Sequence, residues 1–194
     1  MRDAPALLIL DMINEIVHPK GLYASHGYAA EVEKRQVLER TADAIDRARS
    51  ARIPVIYVVV GFSPEYHEWP AGSAVFAEAR PGRKLVVGTW ATTVHEELKP
   101  AADEPIVVKR RISPFCGTEL SLLLRARGID TLLLAGVSTD LVVLSTARDG
   151  HDQDYRVEVL ADATASMTTA LHESALALAA RTASVTTVDE ALPR

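Results

Sequence analysis

The chain has 194 residues, 48% of them hydrophobic, and its 21 Lys and Arg residues against 26 Asp and Glu residues give a formal net charge of −5 at pH 7. This length and hydrophobic content predict one domain, residues 1–194, with a substantial core. The negative charge and the lack of a Lys/Arg-rich run argue against nucleic acid and anionic membranes as partners, because both require a basic surface. The single cysteine, Cys116, excludes an intramolecular disulfide and fits a reducing compartment.

The first apolar run, residues 6–10, is too short for the hydrophobic region of a signal peptide and is followed at once by Asp11. No apolar stretch approaches the ~20 residues that cross a bilayer as a helix. We therefore predict a soluble, cytoplasmic protein.

Six short apolar runs alternate with longer stretches of helical periodicity. The predicted strands, all expected to be buried on both faces, are residues 6–10, 54–60, 105–108, 131–135, 157–160 and 184–188. The predicted helices are residues 31–52, 118–127, 141–151 and 169–181. This alternation is typical of an α/β fold in which helices cover both faces of a parallel sheet.

One long segment, residues 61–93, is rich in Pro and Gly and carries scattered aromatic residues. A loop of this length inside a compact domain usually has a function, such as a lid or a subunit contact.

Charged and polar residues follow three of the predicted strands, where ligands bind in open parallel sheets. Asp11 follows the first strand, Lys109 follows the third, and residues 136–140 follow the fourth and lead into a helix. Asp11 and Lys109 are expected to form a pair that tunes proton transfer. In the alternative, Asp11 caps a turn and Lys109 is a solvated charge, and the spacing alone favours neither.

A side chain in the first turn after residues 138–140 would face free backbone N–H groups. This is where a nucleophilic thiol would be placed, because the helix N-terminus lowers its pKa and the N–H groups can hold an oxyanion. The residue there is Val142.

Four stretches in this order and spacing resemble the isochorismatase-like hydrolases, also called cysteine hydrolases: residues 8–14, 107–120, 134–149 and 155–163. The resemblance covers nearly the whole chain. It implies a Rossmann-like three-layer sandwich with a six-stranded parallel sheet, assembled as a homodimer or homotetramer.

The resemblance also implies roles for individual residues. Asp11 matches the family's general acid or base, and Lys109 matches the lysine that pairs with it. The bond between Val137 and Ser138 matches a non-proline cis peptide that aims backbone N–H groups into the site. The catalytic cysteine falls on Val142, which cannot attack a substrate, so the family's thioester mechanism is excluded at that position.

Relatives that cleave a vinyl ether, the true isochorismatases, also lack this cysteine, although they carry a small residue there. The resemblance therefore leaves open vinyl ether cleavage and amide or ester hydrolysis by direct water attack. Cys116 is an alternative nucleophile, but a buried or turn position without catalysis is the usual state of a free cysteine.

Further residues are candidates for binding the substrate. Arg110 can bind a substrate carboxylate, because its guanidinium group can donate two parallel hydrogen bonds. This suggests that the substrate is an anionic metabolite. Phe115 resembles a family aromatic that borders the pocket, and Tyr66 and His67 are expected to line or cover it. Packing in the core or in a subunit interface is the alternative for these aromatic residues. Val137, Ser138 and Thr139 complete the predicted binding set.

The spacing of the six histidines does not predict a metal site, which needs three or four converging ligands. We therefore predict a hydrolase of a small metabolite that uses Asp11 and Lys109 with no cofactor or metal. The alternative is a catalytically silent family member that binds a small molecule or serves as an oligomeric module.

Overall fold

The computed structural model describes residues 4–194, and its centre is a six-stranded sheet in which every pairing is parallel. The strands are β1 (Pro5–Leu10), β2 (Val55–Val60), β3 (Ile106–Lys109), β4 (Thr131–Val137), β5 (Arg156–Ala165) and β6 (Ser184–Thr186). Their order across the sheet is β3-β2-β1-β4-β5-β6. The direction of winding reverses between β1 and β4, and ligands bind at such a switch point in open α/β sheets.

Helices cover both faces of the sheet, which confirms the predicted α/β class and parallel sheet. They are α1 (Asn14–Val17), α2 (Tyr28–Lys34), α3 (Val37–Ser50), α4 (Leu120–Ala126), α5 (Leu144–Asp152), α6 (Thr169–Ala179) and α7 (Val188–Ala191). One buried cluster joins the sheet to α2, α3 and α7, and a second joins it to α4, α5 and α6. Among residues 4–194, no helix is long and apolar enough to cross a membrane.

The prediction that all six strands are buried on both faces is wrong for the two edge strands. In β3, Ile106 is exposed, and in β6 both Ser184 and Val185 are exposed. The central strands β1, β2 and β4 are buried almost throughout. An edge strand has a neighbour on one side only, so an apolar sequence does not guarantee its burial.

Two of the predicted helices differ from those observed. The predicted helix 31–52 is interrupted between α2 and α3, where Gln36 adopts a left-handed conformation with a φ of 54°. The predicted helix 141–151 is preceded by a π-helical turn, Thr139–Val143, and regular α-helix begins only at Leu144. β6 ends at Thr186 because the side chain of Thr187 caps α7.

A close approach between β4 and β1 depends on Gly136. Its φ is 142°, and a Cβ atom there would lie 2.1 Å from the carbonyl oxygen of Leu10. A larger residue could not occupy this position without moving the backbone. The approach places the end of β4 beside the end of β1, which Asp11 follows.

The long segment 61–93 packs against the core. Phe62 forms a β-bridge with Val86, and Phe76, Ala79 and Leu85 are buried. Part of the segment therefore forms a wall beside the carboxyl ends of the strands.

Candidate active site

Asp11 and Lys109 form a buried ion pair at the carboxyl ends of β1 and β3. Lys109 Nζ lies 2.8 Å from Asp11 Oδ2, and the two side chains are 2% and 6% exposed. Lys109 Nζ also donates a hydrogen bond to the Arg111 carbonyl at 3.1 Å. The two side chains reach each other across β2, so the pair depends on the strand order and not on closeness in sequence.

The environment of Asp11 favours proton exchange. Burial raises the pKa of its carboxyl group, and the charge and hydrogen bond of Lys109, with a smaller contribution from the backbone N–H of Val60, oppose that rise. Asp11 Oδ1 is buried and makes no hydrogen bond to any residue of the described chain, 4–194. One carboxylate oxygen is thus held by Lys109, while the other remains available as an acceptor. A carboxylate in this state is suited to general acid or base catalysis.

Asp11 and Lys109 open into a cavity of about 390 Å³. Val137 and Ser138, from the end of β4, and Val142, from the π-helical turn, also line this cavity. Its volume is in the range of small-molecule sites, roughly 300–1,000 Å³. The structure therefore brings together both members of the predicted acid–base pair and three further residues of the predicted set.

The turn after β4 is held by backbone and side-chain contacts. The peptide bond between Val137 and Ser138 is cis. The carbonyl of Ser138 accepts hydrogen bonds from the N–H groups of Leu141 and Val143, at 3.3 and 3.2 Å. Ser166, at the end of β5, donates a hydrogen bond to the carboxylate of Asp140. These contacts fix the segment that forms one side of the cavity.

Thr139 belongs to the predicted set but does not line the cavity. It is buried behind the turn, where its Oγ1 lies 2.8 Å from Nδ1 of His172 in α6. Burial is the main cause that lowers the pKa of His172, to about 4. The contact between Thr139 and a neutral His172 joins the turn to α6.

This burial predicts a pH-dependent loss of stability. The folded-state pKa of His172 lies below its unfolded value of 6.5, so its contribution is present above pH 6.5 and is lost as pH falls towards 4. We expect the free energy of unfolding to lose about 3 kcal/mol over this range through His172 alone. Urea titrations at several pH values measure this loss. In His172→Gln, which can still bond Thr139, the decline should be shallower, and parallel curves for the two proteins would contradict the assignment.

Four other predicted residues lie outside the cavity lining. The Tyr66 hydroxyl donates to the Lys84 carbonyl at 2.6 Å, and His67 is exposed. Arg110 Nε donates to Glu68 Oε1 at 2.9 Å. Phe115 stacks on Tyr155, with ring centroids 6.1 Å apart.

Cys116, the alternative nucleophile, is exposed and does not line the cavity; it lines a neighbouring surface groove that shares Phe76 and Ile112 with the cavity. Within residues 4–194, no three His, Cys, Asp or Glu side chains come close enough to hold a metal ion together.

The cavity also contains residues that the sequence analysis did not identify. They are Ile16, Tyr23, His26, Tyr28, Leu141, Met167 and, from the long segment and its neighbours, Val60, Ala74, Val75, Phe76, Leu85 and Ile112. Burial raises the pKa of Tyr23 to about 12. Asp140 also lines the cavity, and it ends the turn 136–140 that the sequence analysis placed after the fourth strand. Tyr23 and Tyr28 lie between β1 and α3, away from any strand end.

Comparison with known proteins places these features in a family. The family described as the Isochorismatase domain matches residues 5–190. The ureidoacrylate amidohydrolase RutB of Methylorubrum extorquens is 36% identical over 174 residues, which cover 84% of this chain and 70% of that protein.

Solved structures show the same architecture. An isochorismatase family protein from Desulfovibrio vulgaris is similar over the full length of both chains, with a TM-score of 0.85 and 29% identity. The N-carbamoylsarcosine amidase of Thermoplasma acidophilum has a TM-score of 0.75 and 29% identity, over 95% of this chain and 96% of that one.

Proposed function

Because the chain belongs to the isochorismatase family of hydrolases, we propose that it hydrolyses the C–N bond of a small amide. In this proposal a water molecule activated by Asp11 attacks the amide, and no covalent cysteine takes part. The names of two similar proteins, an amidohydrolase and an amidase, support amide hydrolysis over vinyl ether cleavage.

One observation carries the proposal, namely the buried pair of Asp11 and Lys109 with Asp11 Oδ1 left as a free acceptor in the cavity. A carboxylate with both oxygens bonded to protein groups would be a structural ion pair. Here Lys109 holds one oxygen, so the other can bind a water or the substrate without breaking the pair.

The reaction can be written from these groups. Asp11 Oδ1 takes a proton from a water molecule while the water oxygen attacks the carbonyl carbon of the amide. The tetrahedral intermediate then collapses, the C–N bond breaks, and Asp11 returns the proton to the leaving nitrogen. A carboxylic acid and an amine or ammonia result. Lys109 stays protonated and keeps Asp11 oriented throughout.

Val142 has a different role in this scheme. It lines the cavity at the position that resemblance assigns to the family's cysteine, and its side chain is apolar and buried. It restricts the space around the attacked carbon and helps to keep bulk water out of the site. A direct attack by water needs no thioester intermediate, so a valine here is compatible with turnover.

The absence of a cysteine nucleophile can be tested with a thiol reagent. We expect the wild-type protein to release ammonia or amine from a panel of small amides, in the presence of a chelator and after treatment with iodoacetamide. Cys116→Ala should behave identically, whereas Val142→Cys should become sensitive to the reagent. Inactivation of the wild type by the reagent, together with loss of activity in a folded Cys116→Ala protein, would instead identify Cys116 as the nucleophile.

The second candidate is a silent family member that binds a small molecule. The apolar Val142 and the largely apolar cavity favour it, because both would serve binding without chemistry. This alternative predicts that calorimetry detects binding of amides. It also predicts that prolonged incubation with amides, esters or isochorismate yields no product.

We retain two further proposals from the sequence, a single domain over residues 1–194 and a homodimer or homotetramer. Light scattering coupled to size-exclusion chromatography would measure the assembly.

A further inference from the structure

Three Asp and Lys side chains line the cavity, and their formal charges do not cancel. Lys109 Nζ is 2.8 Å from Asp11 Oδ2, so these two charges neutralise each other. Asp140 is the third. Its carboxylate accepts a hydrogen bond from the uncharged hydroxyl of Ser166, and no cation of residues 4–194 lies within ion-pair distance of it. The lining of Asp and Lys side chains therefore carries a net charge of one negative unit.

The arginines nearest in sequence do not compensate this charge. Arg110 is bound to the carboxylate of Glu68 and, through Nη1, to the carbonyl of Val108 at 2.9 Å. Arg111 is exposed and donates to the carbonyl of Glu68 at 3.1 Å. Neither residue lines the cavity. The guanidinium group expected to bind a substrate carboxylate is thus engaged elsewhere.

Most of the remaining lining is apolar. It includes the side chains of Ile16, Val75, Phe76, Leu85, Ile112 and Met167. These groups favour an apolar substituent and offer no hydrogen bond to a carboxylate on the acyl chain of a substrate.

The polar atoms in the cavity that lack a partner suit an uncharged amide. Among residues 4–194, the buried side-chain atoms that make no hydrogen bond include Asp11 Oδ1, Ser138 Oγ and the Tyr23 hydroxyl, and all three residues line the cavity. The hydroxyl groups donate to the carbonyl of the substrate, and the Asp11 oxygen accepts from the attacking water and then returns the proton to the substrate nitrogen. An amide offers both functions.

We propose that this site selects uncharged amides with an apolar acyl chain and rejects amides whose acyl chain carries a carboxylate, with Asp140 as the specificity-determining residue. The inference rests on the proposed amide hydrolysis. It separates this chain from its relatives, since the substrate in their name, ureidoacrylate, is a carboxylate.

Hexanamide and adipamic acid, the monoamide of adipic acid, provide a matched test. They have the same six-carbon acyl chain and differ only in a terminal carboxylate. At pH 8, above the ordinary titration range of histidine, we expect kcat/KM for hexanamide to exceed that for adipamic acid by at least about 100-fold. An equal or greater kcat/KM for adipamic acid would overturn the inference and leave the amide hydrolase intact.

Asp140→Asn tests the assigned residue, because an asparagine can still accept the hydrogen bond from Ser166. We expect Asp140→Asn to lower the ratio of kcat/KM for hexanamide to kcat/KM for adipamic acid by about tenfold, mainly because kcat/KM for adipamic acid rises. The control is Asp103→Asn, an exposed substitution outside the cavity with the same change in net charge. An equal effect of both variants, or no effect of Asp140→Asn, would contradict the role of Asp140.

Calorimetry on the wild-type protein separates the two proposals. Binding of hexanamide and not of adipamic acid, without turnover, would support the selectivity and contradict the hydrolysis. If hexanamide does not bind at all, the inferred substrate class is wrong.

Discussion

Replacement of Asp11 by asparagine is expected to lower kcat/KM for an amide substrate by about 10²–10⁴-fold, the usual contribution of a general acid or base. Asparagine keeps the shape of the side chain but cannot take a proton from water or return one to the leaving nitrogen. The loss should appear in kcat, because Asp11 transfers the proton in the transition state and does not contribute to substrate binding. Steady-state kinetics on the best substrate of the amide panel would measure it.

This variant also leaves the Lys109 ammonium group buried beside a neutral amide, so its fold must be verified. Circular dichroism and thermal unfolding would show whether Asp11→Asn is folded at the assay temperature. The double variant Asp11→Asn/Lys109→Met removes both charges and should recover part of any lost stability while remaining inactive. Asp103→Asn is the matched exposed control and should keep full activity. Full activity in a folded Asp11→Asn protein would refute the proposed mechanism.

Replacement of Lys109 by methionine is expected to reduce both stability and activity. The carboxylate of Asp11 would then be buried without a countercharge, which typically costs about 3–5 kcal/mol. The loss of the positive charge also removes the interaction that opposes the burial-induced rise in the pKa of Asp11. Chemical denaturation and the pH dependence of kcat/KM would measure these two effects.

The sign of the pH effect follows from the base role of Asp11. Asp11 acts as a base only when ionised, so a higher pKa moves the acidic limb of the kcat/KM profile to higher pH. Lys109→Arg keeps a positive charge and should move this limb less than Lys109→Met does. A merely structural role for Lys109 would lower stability without moving the limb.

The main elements of the site were predictable because of the way parallel sheets are built. Asp11 and Lys109 each lie at the end of an apolar run, and the carboxyl ends of parallel strands meet at one edge of the sheet. Lys109 Nζ lies 2.8 Å from Asp11 Oδ2 at that edge. The turn after β4 was predictable for the same reason, which is why Val137, Ser138 and Val142 also line the cavity.

Other residues could not be assigned from the sequence. Arg110 directly follows Lys109, yet its side chain bonds Glu68, which is 42 residues away along the chain. Tyr23 and Tyr28 have no periodic pattern or strand end to mark them. Tyr28 begins α2, which contacts β5, and Tyr23 lies in the segment before α2. Which partner a side chain binds, and in which direction it points, depends on contacts between segments that are distant in sequence.

The α/β class and the parallel sheet could be predicted from the sequence, because hydrophobic periodicity is a local property of the chain. Which charges remain uncompensated in the cavity could not be predicted in this way. Lys109 is neutralised by Asp11, Arg110 by Glu68, and Asp140 has only the hydroxyl of Ser166 as its side-chain partner among residues 4–194. Whether one charge neutralises another depends on the distance between the two groups in the folded chain. These distances follow from the packing of segments that are far apart in sequence.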